Sequence, residues 1–181
     1  MRNDGSEISK ISTLRGFIKH GVNFNPELSG REAIADCPFC ERENKFYVNS
    51  ENQLWNCKRC GKAGNFHAFL KYTFHKWEKG YQNGSQQFFI SKWARSRNLP
   101  VKAFTYWNLG RKDHHLIFPI YNDNLKIIDL RIAQPGLKII STPTVKVGLF
   151  NLSQLISTDK QVPVYICEGE WDAIAWNWLL K

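Results

Sequence analysis

The stretch CPFCERENKFYVNSENQLWNCKRCG, residues 37–61, contains two C-x2-C pairs with sixteen residues between them. Zn²⁺ prefers four ligands in a tetrahedron, and two such pairs at the ends of a hairpin deliver four sulfur atoms to one point. The residues between the pairs suffice for two strands and a turn, and this spacing is typical of a zinc ribbon. The sequence therefore predicts one zinc ion held by Cys37, Cys40, Cys57 and Cys60.

This predicted zinc is structural, because four protein ligands leave no position for a water molecule. Four free thiols in the core are the alternative. Cys167 is expected to be a core thiol far from the site, and His67 to lie on a helix face. A ribbon of this size is expected to bury little apolar surface, so that metal binding supplies much of its folding free energy.

Composition excludes several classes of protein. The chain has 181 residues, of which 43% are apolar and 23% charged, which is globular usage. Its apolar runs are shorter than the roughly 20 residues of a membrane span, and its polar N-terminus is unlike a secretory signal. Five cysteines are an odd number and too few for a disulfide scaffold. We therefore expect a reducing cytoplasm, with no membrane partner.

The net charge is +9, and residues 81–110 contain four cations and no acidic residue. Aromatic residues are interleaved with these cations, and such a surface suits single-stranded nucleic acid. A basic solvated face over an aromatic core explains the same composition.

Within the ribbon, cations lie near two aromatic residues, Tyr47 and Trp55. The cations are Lys45, Arg59 and Lys62, and together with Trp55 they are candidates for contact with single-stranded DNA. The alternative is an ordinary soluble surface whose rings pack against the first helix.

Hydrophobic periodicity predicts an α+β chain. Helical spacing occurs in residues 6–20, 65–78, 85–97 and after Pro100, whereas residues 21–30 read as a loop. Strands are predicted at 46–48, 53–56, 115–120, 126–132, 138–141 and 163–168, and the last of these leads into a helix.

A group of acids follows that last strand, in Glu168-Gly-Glu-Trp-Asp172. Glu168 is at the carboxyl end of the predicted strand, where α/β sheets bind ligands, and Asp172 falls in the first helical turn. Two such carboxylates suit Mg²⁺ or Mn²⁺. The alternative is that these acids only stabilise the start of the helix.

The final helix keeps its apolar stripe up to Lys181 and has no C-cap glycine. From this we expect the chain to be the front part of a longer protein or a fragment of one.

Residues 37–70 resemble the zinc-binding domain of DNA primases of the DnaG type, found in bacteria and phages. The shared features are the CPF knuckle, acids close behind it, an aromatic strand before the second knuckle, and the step Gly61-Lys-Ala-Gly64-Asn65 into a helix.

Three later segments extend this resemblance. Residues 116–132, LIFPIYNDNLKIIDLRI, are similar to a primase stretch but carry Leu125 where a turn glycine is usual. Residues 138–143 and 146–151 resemble two lysine-containing runs of the family. Residues 165–176, YICEGEWDAIAW, look like the opening motif of the TOPRIM domain, although no D-x-D follows Asp172.

The resemblance implies a zinc ribbon, then helices, then a mixed α/β primase core that ends in the first βα unit of a TOPRIM fold. The implied segments are a template-binding domain at 1–75, a basic helical linker at 76–110 and the front of the catalytic core at 111–181. Glu168 and Asp172 would be catalytic, and Arg131, Lys138 and Lys146 would bind template or nucleotide phosphates. The implied function is synthesis of RNA primers on single-stranded DNA from ribonucleoside triphosphates, beside a fused or separate replicative helicase. The 181 residues alone are expected to make little primer.

Other functions stay open at this stage. The chain fits the front of a phage or plasmid primase–helicase, or a zinc-ribbon and TOPRIM module that binds DNA without activity. A recombination mediator is disfavoured, because over a hundred residues separate Cys60 from Glu168. A TOPRIM nuclease or topoisomerase would cut DNA, and no residue marks the tyrosine nucleophile that a topoisomerase needs.

Overall fold

A computed structural model describes residues 12–82, 86–137, 139, 148–152 and 161–180. In these residues the fold is α+β, with two antiparallel sheets and four α-helices. The chain divides into two compact units, Met1–Thr73 and Phe74–Lys181. Residues 76–110, predicted as a basic helical linker or the start of the core, belong to the second unit of this division.

The first unit contains a five-stranded antiparallel sheet in which each strand pairs with the next one along the chain. A 3-10 helix at Ser12–Leu14 leads into helix α1, Arg15–Lys19. The strands are β1 Phe24–Ser29, β2 Glu32–Ala35, β3 Phe46–Asn49, β4 Trp55–Cys57 and β5 Ala63–Gly64. Strands β3 and β4 confirm the two strands predicted between the cysteine pairs.

Strand β1 corrects the prediction of a loop at residues 21–30. Proline cannot donate a ladder hydrogen bond, so a sequence with Pro26 reads poorly as a strand. Here β1 is the edge strand, and its pairing with β2 is irregular between Phe24 and Leu28. The irregular edge accommodates a residue that a central strand would exclude.

An aromatic core fills the first unit, and it is larger than the sequence led us to expect. Phe17 of α1, Phe46 of β3 and Phe69 are fully buried, and Phe17 and Phe69 have ring centroids 4.7 Å apart. Burying one such ring stabilises a fold by roughly 1.5–3 kcal/mol. Apolar burial therefore supports this unit together with the zinc site.

Helix α2, Phe66–Gln82, begins at an asparagine cap. The side-chain oxygen of Asn65 accepts a hydrogen bond from the backbone N–H of Ala68 at 3.0 Å, which satisfies one of the free donors at a helix start. A Cβ at Gly64 would lie 2.5 Å from the Cβ of Ala68. Glycine at position 64 thus has a steric reason, and asparagine at position 65 has a hydrogen-bonding one.

The second unit combines a four-stranded antiparallel sheet with helices α3, Gln86–Ser96, and α4, Glu170–Leu179. Its strands are β6 Gly110–Lys112, β7 His115–Tyr121, β8 Ile127–Ala133 and β9 Leu149–Phe150, and a 3-10 helix spans Val101–Phe104. Strand β7 pairs with β8 and also with β6 and β9. The predictions of α3, β7 and β8 are confirmed, whereas the strand predicted at 138–141 lies largely outside the described residues.

The buried faces of these elements form one hydrophobic cluster. It contains the inward residues predicted for α3, which are Phe89, Ile90, Trp93 and Ala94. It also contains Phe118 of β7, Ala133 of β8 and Ile174 of α4. The sheet, α3 and the start of α4 therefore share a core.

The strand predicted at 163–168 is absent from the structure, although the helix predicted after it is present as α4. A strand forms when its backbone groups pair with a neighbour, and within the described residues no strand pairs with this segment. Its side chains are exposed, with Ile166 at 90%, except for Cys167, which was predicted as a core thiol and is half-buried. The β half of the predicted βα unit is therefore not formed here.

The turn between β7 and β8 places Leu125 in the left-handed region, with a φ of 55°. The side-chain oxygen of Asn122 accepts hydrogen bonds from the backbone N–H groups of Asn124 and Lys126, at 3.1 and 2.9 Å. These bonds hold a turn in which a Cβ is disfavoured by roughly 1–2 kcal/mol. Leu125 thus adopts a conformation that suits glycine, the residue usual at this turn in the family that residues 116–132 resemble.

We expect Leu125→Gly to be more stable than Leu125→Ala by about 1 kcal/mol, because only glycine removes the Cβ that the left-handed turn disfavours. Both variants lose the same half-exposed leucine side chain, so the alanine variant is the matched control. Thermal unfolding should show a difference of about 2–4 °C. Equal midpoints for the two variants would contradict strain at this turn.

In the described residues, no helix combines the length and the apolar character that crossing a bilayer requires.

Candidate metal centre and carboxylate site

The four cysteines of the two knuckles converge on one point. Their Sγ atoms all lie within 4.8 Å of one another. The distances are 4.0 Å between Cys37 and Cys60, and 3.8 Å between Cys40 and Cys57. A tetrahedron with Zn–S bonds of about 2.3 Å has edges of about 3.8 Å. The donor set and its spacing therefore fit one zinc ion with four thiolate ligands.

The two knuckles repeat the same backbone hydrogen bonds. The N–H of Cys37 donates to the carbonyl of Arg42 at 3.0 Å, and the N–H of Cys57 donates to the carbonyl of Lys62 at 2.8 Å. Each bond spans five residues and closes a loop around its C-x2-C pair. The peptide backbone thus positions both sulfur pairs.

A left-handed residue follows the second cysteine of each knuckle. These residues are Glu41, with a φ of 59°, and Gly61, with a φ of 72°. The glycine adopts this conformation without the penalty that a Cβ brings. The two knuckles are therefore the same turn built from different residues.

The thiols differ in acidity before metal binds. Burial raises the pKa of Cys37 to about 12. Burial acts on Cys57 in the same direction, but backbone N–H groups of Cys60 and Arg59, each 3.4 Å from its sulfur, lower the pKa of Cys57 to about 7. Zinc must displace protons from the thiols that are still protonated, so zinc affinity decreases as the pH falls.

We expect the purified chain to contain one zinc ion, and Cys40→Ser to lose it, because a hydroxyl replaces a thiolate ligand. Metal analysis should show the loss of zinc. Near-ultraviolet circular dichroism should show a loss of packing in the aromatic core at the same time. The matched control is Cys167→Ser, which changes a half-buried thiol outside the cluster and should keep the metal. Full zinc content in Cys40→Ser would contradict this ligand set.

Trp55 is not placed to stack on DNA bases. Its side chain is 2% exposed, and its Nε1–H donates to the carbonyl of Asn65 at 2.7 Å. Its ring packs near Phe39 and Phe46, with centroids 5.4 and 5.3 Å away. Trp55 therefore belongs to the core of the first unit in this structure, whereas the alternative to DNA contact had its ring packing against the first helix.

Tyr47 presents the other ring, on the outward face of β3. The ammonium group of Lys58 lies 4.0 Å from the centre of this ring, which is a cation–π distance. Lys45 and Arg59 are exposed in the same region of the chain. Sequence reasoning missed Lys58, although its place inside the second knuckle, directly before Arg59, was a usable signal.

Lys62 is half-buried, and its ammonium group lies 5.9 Å from the centre of the Tyr72 ring. His67 is exposed on α2 and is not part of the cysteine cluster.

The carboxylates of the second unit divide into exposed and buried groups. Glu168 and Asp172 are exposed. Between them, Glu170 is 5% exposed and forms an ion pair with the guanidinium of Arg131. A Cβ at Gly169 would lie 3.4 Å from a carboxylate oxygen of Asp172, so the Asp172 side chain folds toward Gly169. Sequence reasoning missed the role of Glu170, which only its partner on β8 reveals.

Arg131 was predicted to bind phosphates, but here its guanidinium is engaged by Glu170. A buried carboxylate is a strong competitor for a cation, since an unpaired buried charge is costly. Lys138 and Lys146, the other predicted phosphate ligands, lie outside the described residues.

No protein-family model matches the chain, and no curated protein matches it either. Similar solved structures include a crystal structure of the Aquifex aeolicus primase with its zinc-binding and RNA polymerase domains. The match covers 78% of this chain and 55% of that one, with 15% sequence identity and a TM-score of 0.27. The chain thus spans about half the length of that primase structure.

Proposed function

We propose that the chain is the zinc-binding and early catalytic part of a DNA primase, which synthesises RNA primers on single-stranded DNA. The observation that carries the proposal is the combination, in one chain, of a four-cysteine zinc cluster with an exposed Glu168–Asp172 carboxylate pair at a helix start. The order of these two features is that of the family that the sequence resembles.

The first unit is proposed to hold the template. Strand pairing places Ile34, Tyr47 and Asn56 side by side across β2, β3 and β4. Tyr47 offers a ring to an unpaired base, and the exposed Lys45 and Arg59 offer charge to the phosphates. Stacking tolerates any base, so this surface favours single-stranded DNA without restricting its sequence.

The second unit is proposed to contribute to nucleotidyl transfer, in which a 3′-hydroxyl attacks an α-phosphate and pyrophosphate leaves. Bound divalent cations supply charge neutralisation for the attacking and leaving oxygens in such reactions. Glu168 and Asp172 would hold Mg²⁺ or Mn²⁺ through hard carboxylate oxygens, and their exposure leaves them accessible to triphosphate. Lys138 and Lys146 would bind phosphates, a role proposed from sequence alone.

A replicative helicase, fused or separate, is the proposed partner. A second candidate function is a DNA-binding module without activity of its own. It is favoured by the unformed strand at 163–168.

Two variants distinguish the contribution of base stacking to template binding from the contribution of charge. We expect Tyr47→Ala to weaken binding of a single-stranded oligonucleotide by roughly 1–3 kcal/mol without changing its salt dependence, because a stacking ring is lost while every cation of this face keeps its charge. Arg59→Ala should instead lower the slope of log affinity against log salt by about 0.7, because one phosphate contact is lost. Fluorescence anisotropy at several salt concentrations measures both effects.

The matched control is Arg31→Ala. Arg31 pairs with Glu51 at 3.2 Å, beside the ends of β2 and β3 that lie away from the cysteines. Its replacement should leave binding unchanged. An equal loss of affinity in all three variants would mean that diffuse positive charge, rather than this face, binds DNA.

Primer synthesis tests the carboxylates. In a protein that carries these residues together with the acidic pair of a complete site, Glu168→Gln should reduce synthesis by roughly 10²-fold or more, since it removes charge that supports the transition state. Oligonucleotide binding should be unchanged. Incorporation of labelled ribonucleotides on a single-stranded template is the measurement, and full activity in Glu168→Gln would refute the assignment. A complete protein that binds DNA but makes no primer would favour the module without activity.

A further inference from the structure

The segment from Glu168 to Asp172 has exposed side chains at its two ends and buried or partly buried ones at Glu170 and Trp171. Glu168 and Asp172 face solvent, whereas Glu170 is buried and Trp171 packs against the core of the second unit. Glu170 and Trp171 are the first two residues of α4. The residues between the two exposed carboxylates therefore attach this helix start to the rest of the unit.

Trp171 is the aromatic part of this attachment. Its ring stacks on Trp93 of α3, with centroids 5.4 Å apart and planes at 20°. It meets Phe118 of β7 edge-on at 5.2 Å, and the guanidinium of Arg97 lies 4.3 Å from its centre. These contacts fix the position of the ring. They do not fix the orientation of the backbone turn that precedes it, at residues 168–169.

Glu170 provides the directional contact that attaches the start of α4. Its carboxylate accepts a hydrogen bond from the Nη1 of Arg131, thirty-nine residues earlier in the chain. Arg131 on β8 is the cross-strand partner of Phe118 on β7. One cross-strand pair therefore contacts two consecutive residues of α4: Phe118 contacts Trp171, and Arg131 contacts Glu170.

We propose that Arg131 is a positioning residue: by pairing with Glu170 it sets the orientation of the first turn of α4, and with it the placement of Glu168 relative to Asp172 for a divalent cation. This inference rests on the metal role of those two carboxylates proposed above. It gives Arg131 a function other than phosphate binding.

The geometry explains why an ion pair is used at this point. Gly169, the residue before α4, has no side chain to cap the helix, and its φ of −137° is open to any residue. The backbone at this position is therefore not restricted by the residue type. A hydrogen bond between charged groups depends on direction, so it restricts the first turn where packing alone does not.

The test is Mn²⁺ binding to the 181-residue chain, followed by electron paramagnetic resonance of the free ion. Removing only one charge leaves its partner buried and unpaired, which is strongly destabilising. The informative variant is therefore the double variant Arg131→Met/Glu170→Met, which keeps apolar volume and leaves no buried charge. We expect its Mn²⁺ affinity to fall by roughly tenfold or more, as for groups that orient metal ligands.

Three further variants complete the design. Glu168→Gln should weaken Mn²⁺ binding directly. The single variant Arg131→Lys keeps a cation opposite Glu170, so its Mn²⁺ affinity should lie between those of the wild type and the double variant. Arg95→Met replaces an exposed arginine of α3 and should change nothing. Near-ultraviolet circular dichroism of the Trp93–Trp171 stack confirms that each variant is folded.

The outcomes separate the two proposals. If Glu168→Gln weakens binding but the folded double variant binds as the wild type does, the positioning role is wrong and the carboxylate site stands. If the wild type binds no Mn²⁺, or Glu168→Gln has no effect, the carboxylate site is wrong and the positioning role falls with it. Loss of affinity in Arg95→Met equal to that in the double variant would also overturn the positioning role.

Discussion

Convergence of four cysteine sulfurs is the constraint on which the first unit depends. Sulfur atoms 3.8–4.0 Å apart cannot all be thiolates without a cation between them, because like charges at this distance repel strongly. The two knuckles bring them together through matching backbone bonds, and β3 and β4 connect the knuckles. A zinc ion held there would join the two ends of the hairpin, and Phe39, inside the first knuckle, packs against Phe46 and Phe69 of the aromatic core.

The second unit depends on a different arrangement, in which buried groups hold a short exposed segment. Between Glu168 and Asp172, the chain buries one carboxylate and one indole ring, and leaves the two outer carboxylates in solvent. Burial of Glu170 is tolerated because Arg131 pairs with it. The three acids within these five residues thus lie in two different environments, one buried and paired and two exposed.

Several features were readable in the sequence because they depend on local chemistry. The spacing of the cysteine pairs allows four sulfur atoms to meet at one point, and zinc strongly prefers four such ligands. Alternation in Phe46-Tyr-Val48 and helical period in α3 mark faces that must be buried, whatever lies opposite. Errors arose where the outcome depended on neighbours: Pro26 is tolerated because β1 is an edge strand, and Val164–Cys167 is not a strand because no described strand pairs with it.

By itself, the sequence determined the ligands of the zinc site, the α+β character of the chain and the helix that follows Glu168. Only the tertiary structure decided that Trp55 belongs to the core rather than to a DNA surface, and that Arg131 faces a carboxylate rather than solvent. The physical reason is the range of the interactions. Ligand spacing and periodicity act within about 20 residues, whereas burial and the pairing of charges thirty-nine residues apart are created when strands and helices pack.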